Sequence, residues 1–210
     1  DRFEQRRGFS ACTATHRPAD LDLLGAIARA VGESFPGCEI AGFPSDFKSA
    51  YRQVTVCPKQ ALMFTVTSWD PVKMSHVFFL AVSQLFGSGN APLNFTRYAD
   101  FCCRPLASLF AIPAVHCVDD VLVIEVMRFI GSSFSCWRTF AELCGWDVPD
   151  EKSPPPARLF RALGAMLDLR LHPDGPMMLR PAEDRINYLT ETLVSTLCQR
   201  KLSPSLAGKI

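Results

Sequence analysis

No two of the nine cysteines stand in C-x-x-C spacing, so the commonest signature of a structural zinc site is missing. The cysteines are odd in number and fall mostly within apolar runs, which reads as buried thiols of a reducing compartment and not as a disulfide framework. Apolar stretches of the ~18 residues needed to span a bilayer are also absent, and the first residues lack the apolar core of a signal peptide. The expectation is a soluble, intracellular protein, cytoplasmic or nuclear, with no membrane partner. Charge of one sign is lacking too: 22 Lys and Arg balance 21 Asp and Glu to a net +1, so no global field announces a polyanion, although Arg2, Arg6 and Arg7 form a local basic cluster. The four histidines, His16, His76, His116 and His172, are scattered, and no catalytic role is assigned to them. Internal repeats and low-complexity tracts are absent. The chain begins on Asp1-Arg2 and stops soon after a helix-start signal at Ser203-Pro204, and so reads as a piece of a longer polypeptide.

What is present is a core-forming composition, 48% hydrophobic with 16 Phe over 210 residues. Leu21, Leu24, Ile27, Ala28, Val31 and Phe35 recur at helical spacing until Pro36-Gly37. An extended segment from Glu39 to Phe43 then leads into Asp46, which is expected at a strand end. Leu62 to Ser68 and Val72 to Val82 are expected as strands around a turn at Trp69-Asp70-Pro71. The Gly87-Ser88-Gly89-Asn90 stretch precedes a helix opened by Pro92 and running through Phe95, Ala99 and Cys102. Ala111 to Cys117 and Val121 to Val126 predict a tight hairpin with Asp119-Asp120 at its tip. A helix from Phe129 to Cys144 stops at Gly145, and Leu159 to Leu171 is read as strand, with a helical reading over Arg158 to Leu169 left open. Ile186 to Leu197 gives a last amphipathic helix. Antiparallel hairpins mixed with helices argue an α+β fold.

Two adjacent carboxylates between apolar strands repel each other and lose solvation unless something positive accompanies them. Taken alone, Asp119-Asp120 is more often a solvated turn than a site, and Asp46 more often a turn or helix-cap residue. Together they change the balance, because hard oxygen ligands from two strands make a divalent-cation site once substrate phosphates join them.

At these residues the sequence resembles a known family. Asp46-Phe47-Lys48-Ser49-Ala50-Tyr51-Arg52-Gln53 is similar to reverse-transcriptase motif A, an Asp followed five residues later by an aromatic. Phe86-Gly87 with Pro92 and Phe95 resembles motif B, and Cys117-Val118-Asp119-Asp120 resembles motif C with Cys in the usual aromatic position. Gly145-Trp146, Pro149 and Lys152 resemble motif D, and Leu163-Gly164 resembles motif E, the primer grip. All five stand in the family's order between residues 39 and 170, and the tail from Ile186 onward resembles DIRS-like and Ty3-like retrotransposons.

The resemblance implies a right-hand polymerase palm with an antiparallel sheet and packed helices, flanked by partial fingers and a partial thumb. Residues 1–38 would be the end of the fingers with a connecting helix, 39–172 the palm, and 173–210 the start of the thumb or connection. A four-stranded sheet is expected, with helices on one face and the carboxylates at the open one. The implied activity is RNA-directed DNA polymerisation on an RNA or DNA template with primer and dNTPs. Asp46 and Asp119 would hold two Mg²⁺ ions (or Mn²⁺), Asp120 would support them, and Lys152 would act as general acid. Phe47 and Lys48 would offer backbone amides to the triphosphate, Tyr51 would be the steric gate, and Phe86 and Gly87 would border the nucleotide. Cys117, Val118, Leu163 and Gly164 would face the nucleic acid, with Arg52, Arg97 and Arg104 as candidate phosphate contacts, and an RNase H domain would adjoin in the longer protein. The alternative is a retroelement-derived palm that folds and binds nucleic acid without polymerising. A nucleotide-cyclase palm is disfavoured because its Gly-Gly-Asp/Glu-Glu-Phe hairpin is absent, and an unrelated interaction module leaves the ordered motifs unexplained.

Overall fold

The structure, a computed structural model, describes residues 20–89 and 91–199. The basic cluster at Arg2, Arg6 and Arg7, His16, Asn90 and the helix start at Ser203-Pro204 lie outside the described residues.

Helix α1 (Leu21–Ser34) is capped by Asp20, whose carboxylate accepts the Leu23 N–H at 2.8 Å. Its Leu24, Ala28 and Val31 are buried, the i, i+4, i+7 stripe of an amphipathic helix. Strand β1 (Ile40–Asp46) follows, then a 3-10 turn at Ala50–Gln53 and another at Pro58–Phe64. Next come β2 (Thr65–Asp70), β3 (Ser75–Leu80), α2 (Ala91–Phe110), β4 (Ala114–Cys117), β5 (Asp120–Val126) and α3 (Met127–Leu143). A 3-10 turn at Asp150–Lys152 leads to β6 (Leu159–Ala162), β7 (Ala165–Asp168), β8 (Met178–Pro181) and α4 (Glu183–Gln199). The order is mixed α+β, with antiparallel pairing throughout.

Strands β1, β5 and β4 form one sheet with β5 in the middle. The two-residue period of β5 feeds two separate cores. Val121 and Val123 pack with Ala41, Phe43, Phe47, Phe95, Leu106 and Trp137 beneath α2 and α3. Leu122, Ile124 and Val126 pack on the other face with Leu24, Ala28, Ile40, Phe160 and Leu167, from α1 and the second sheet. Burial on both faces is why β5 reads as an unbroken apolar run after its first residue, interrupted only by Glu125.

The central sheet has three strands, not the four expected. The chain beyond Pro156 pairs its backbone with β1 in a single bridge, Gly42 to Ala157, with N–H···O distances of 3.0 and 2.9 Å, and then forms its own sheet, β6-β7-β8. Gly42 is needed there, since a Cβ would lie 2.6 Å from both the Phe160 ring and the Val123 carbonyl. The helical alternative for Arg158 to Leu169 is excluded by the β6-β7 hairpin, whose tip residues Leu163 and Gly164 have φ of 49° and 77°. In the β2-β3 hairpin the turn falls at 71–74, later than expected, because the Asp70 carboxylate accepts from Val72 and Lys73 N–H at 2.9 and 3.1 Å. Leu62 to Phe64 belongs to a 3-10 turn instead of a strand, and α2 runs well past Cys102.

Phe47, 1% exposed, meets Phe95, Trp137 and Trp146 edge-on at centroid distances of 5.2, 5.9 and 5.3 Å. Replacement by Ala opens a cavity where three aromatic rings converge. Phe47→Ala is expected to lower the free energy of unfolding by ~3–5 kcal/mol in a urea titration, and the exposed Lys59→Ala by less than ~0.5 kcal/mol.

Candidate active site

Asp46 is the last residue of β1 and Asp120 the first of β5, and the strand register sets them directly opposite one another. Side chains paired across antiparallel strands share a face, so two carboxylates from segments far apart in sequence meet at one strand end. Asp119 lies beside them in the two-residue turn between Cys117 and Asp120, which also pair in register. Val118, the other turn residue, has φ of 56°. A β-branched residue in the left-handed region is strained, by about 1–3 kcal/mol, and the strain sits at the tip that carries the carboxylates.

The electrostatics are those of a site short of positive charge. Burial first, then Asp119 and Asp46, push the Asp120 carboxyl up to about 6, with Lys152 opposing. Burial, and to a smaller extent Asp46, also raises Asp119, against its own backbone hydrogen bond and Lys152. One oxygen of Asp46, Oδ1, is buried without a hydrogen-bond partner, and the other pairs with the Lys152 ammonium. That contact is the main reason the Lys152 pKa is raised. Among the described residues no three His, Cys, Asp or Glu side chains form a ready-made metal cage. Carboxylate oxygens, one of them orphaned, are the hard donors that a divalent cation takes, and phosphate and water would have to complete its shell.

The segment that carries Lys152 is stitched to the one that follows Asp46. Lys48 N–H donates to the Asp147 carbonyl at 2.9 Å, and the Lys48 ammonium lies 3.1 Å from the Asp147 carboxylate. The Gln53 amide donates to both the Lys48 and Asp147 carbonyls and accepts from Asp147 N–H, at 2.7, 3.0 and 2.8 Å. The Lys48 amide is therefore engaged within the protein. Sequence reasoning gave Gln53, Asp147 and Trp146 no role, and the only available hint was their place in adjoining motif-like segments.

Tyr51 meets the exposed Phe86 at 4.9 Å with the ring planes tilted by 56°, and meets Phe95 edge-on at 5.9 Å. Its hydroxyl pKa is raised by burial and then by the charge of Asp119. Gly87 has φ of 87° with open space where a Cβ would stand. Half-buried Cys117 shares the face of Asp120, and burial followed by Asp120, Asp119 and Asp20 raises its thiol, so it is no thiolate nucleophile. Leu163 and Gly164 sit apart from this group, at the tip of the β6-β7 hairpin, where Leu163 packs on the core below α1.

No protein-family model and no curated protein matches the chain. Among solved structures it is similar to the foamy viral protease-reverse transcriptase in complex with double-stranded DNA, with a TM-score of 0.55 and 13% sequence identity over 80% of this chain and 32% of that one. The fold is reverse-transcriptase-like. At this identity the likeness shows the fold alone, and the chain spans about a third of that neighbour's length. In this reverse-transcriptase-like fold no helix among the described residues is long and apolar enough to cross a membrane.

Two outcomes follow from the strained, charge-crowded hairpin. A carboxyl whose folded pKa is raised costs stability once the unfolded chain ionises it, so the cost is absent where both states are protonated, below about pH 3, grows as pH rises toward 6 and is full at pH 7. Asp120→Asn is therefore expected to match the parent near pH 3 and to exceed it by ~1 kcal/mol at pH 7 without divalent cations, a figure discounted for partial exposure. Denaturant titrations at the two pH values decide it, and an equal gap at both removes the electrostatic explanation. Val118→Gly, a loss in most strands, is expected to leave the melting temperature unchanged or raise it.

Proposed function

We propose that this chain is the palm of an RNA-directed DNA polymerase of the DIRS-like or Ty3-like retrotransposon kind, extending a primer 3′-hydroxyl with dNTPs on an RNA or DNA template. The observation that carries the reading is the register of Asp46 against Asp120 with Asp119 at the adjoining turn. Residues 39–172 would form the palm, with 1–38 as the end of the fingers and 173–210 entering the thumb. An RNase H domain adjoins on this reading.

Asp46 and Asp119 would hold two Mg²⁺ ions, or Mn²⁺, with Asp120 as the supporting carboxylate. The ions supply Lewis-acid stabilisation of the attacking and leaving oxygens. Desolvation strengthens the hold of these carboxylates on any cation, because little else nearby neutralises them. Lys152 is protonated at neutral pH, the state required of a group that gives its Nζ proton to departing pyrophosphate, and its pairing with Asp46 holds that proton more tightly. The Tyr51 ring, backed by Phe86 and Phe95, forms a rigid floor on which a ribose 2′-hydroxyl would clash, so dNTPs are selected by exclusion. Gly87 allows backbone to approach the nucleotide, and the Phe47 amide faces the triphosphate, the Lys48 amide being already engaged. The tip at Cys117 and Val118 and the second tip at Leu163 and Gly164 are the primer-facing turns. The solved neighbour is itself bound to double-stranded DNA, which supports a nucleic-acid partner here.

The test is extension of a DNA primer on an RNA template with Mg²⁺, in this chain or a longer polypeptide that contains it. Asp119→Asn is expected to lower kcat at least ~100-fold with the circular dichroism spectrum unchanged. Near-parental extension by that variant refutes the assignment, and absence of extension in the folded parent supports a palm that no longer polymerises. Tyr51→Ala is expected to reduce discrimination against ribonucleotides by about 10- to 200-fold, measured as the ratio of kcat/KM for dNTP and rNTP.

A further inference from the structure

Ser45 immediately precedes Asp46, and Ser153 immediately follows Lys152. Their hydroxyls meet at 2.6 Å, and the indole N–H of Trp137 donates to Ser45 Oγ at 2.8 Å. All three side chains are buried, with exposures of 1%, 3% and 0%. The indole can only donate, so Ser45 accepts from it, and one of the two serine hydroxyls donates to the other. The alternation of β1 explains why Ser45 can do this: it points into the core below α3 while Asp46 points to the opposite face.

The same turn is held from its other end. Arg138, the neighbour of Trp137 on α3, pairs with Asp150 at 2.6 Å. The 3-10 turn Asp150–Lys152 is thus pinned before and after Lys152. Lysine has a long flexible stem, so the place its ammonium reaches depends on where its backbone is anchored. Apolar side chains would fill these three positions without an unsatisfied hydroxyl, but only a directional hydrogen-bonded link fixes the turn's height relative to β1.

We propose that Ser45, Ser153 and Trp137 are positioning residues, a buried three-member link that fixes the Lys152 turn to β1 and so delivers the Lys152 ammonium to Asp46. The catalytic consequence rests on the reading of Lys152 as proton donor, whereas the placement of Lys152 does not. The test therefore has one readout for each. The first is the yield of the zero-length amide cross-link that a carbodiimide forms between Lys152 and Asp46 in metal-free protein, quantified by peptide mass spectrometry. Ser153→Ala and Trp137→Phe are each expected to lower it by roughly 3- to 10-fold, the factor one ordinary hydrogen bond carries, with the circular dichroism spectrum preserved. Ser153→Thr, which keeps the hydroxyl, is expected to restore it. The second readout is primer extension, where the same variants are expected to lower kcat while KM for dNTP stays unchanged.

An unaltered cross-link yield in the folded variants overturns the proposal, and if Ser153→Ala does not fold, Trp137→Phe decides. A lowered yield in a protein that shows no extension at all sustains the positioning link and defeats the polymerase reading instead.

Discussion

Three carboxylates at one strand end repel one another, and the arrangement persists only because antiparallel pairing of β1 with β5 fixes them there. That pairing is not negotiable for the rest of the molecule. A slip of one residue would move Leu122 and Ile124 out of the core below α1 and Val121 and Val123 out of the core below α2 and α3. Two hydrophobic cores thus hold a register whose local electrostatics oppose it. Val118 adds backbone strain at the same tip, so stability from elsewhere supports a crowded and strained corner. A purely structural hairpin gains nothing from either feature, and the proposed reading gives both a use.

Much of this was legible in the sequence. Apolar runs on either side of Asp119-Asp120 specified a hairpin, and helical spacing from Leu21 to Phe35 specified α1, because periodicity records which face of an element is buried. Strand placement suggested that a sheet could bring Asp46 beside Asp119, and the order of motif-like segments strengthened it, but periodicity alone does not pair strands that distant or give the register of Asp46 against Asp120. The three-stranded sheet was not legible. It depends on Gly42 lying under the Phe160 ring, a tertiary approach that leaves only an unremarked glycine in the sequence. The turn after Asp70 was misplaced because Trp69-Asp70-Pro71 carries turn-forming residues, whereas the carboxylate acts on the two amides beyond the proline.

Side-chain links across long sequence separations were the least visible. The pairing of Ser45 with Ser153 spans 108 positions, and that of Gln53 with Asp147 spans 94. Serine and glutamine are ordinary in loops, so neither composition nor spacing distinguishes a buried linker from a solvated one. These links nonetheless explain why the segments around Asp46 and Lys152 act as one unit. The serine link is buried and joins side chain to side chain, whereas the glutamine bonds are exposed and join side chain to backbone.

The pairing of Lys152 with Asp46 also bears on how the site would work. Without a divalent ion, the lysine ammonium is the cation nearest to the crowded carboxylates, and it offsets part of their repulsion. On the proposed reading a metal ion needs the same Asp46 carboxylate, so metal and ammonium compete for it. Asp46 would serve either as the partner of the Lys152 ammonium or as a ligand to a cation, while the serine and tryptophan link keeps the Lys152 backbone anchored in both cases. A proton donor held in place through its backbone would stay within reach of a leaving group at this strand end whichever partner Asp46 takes.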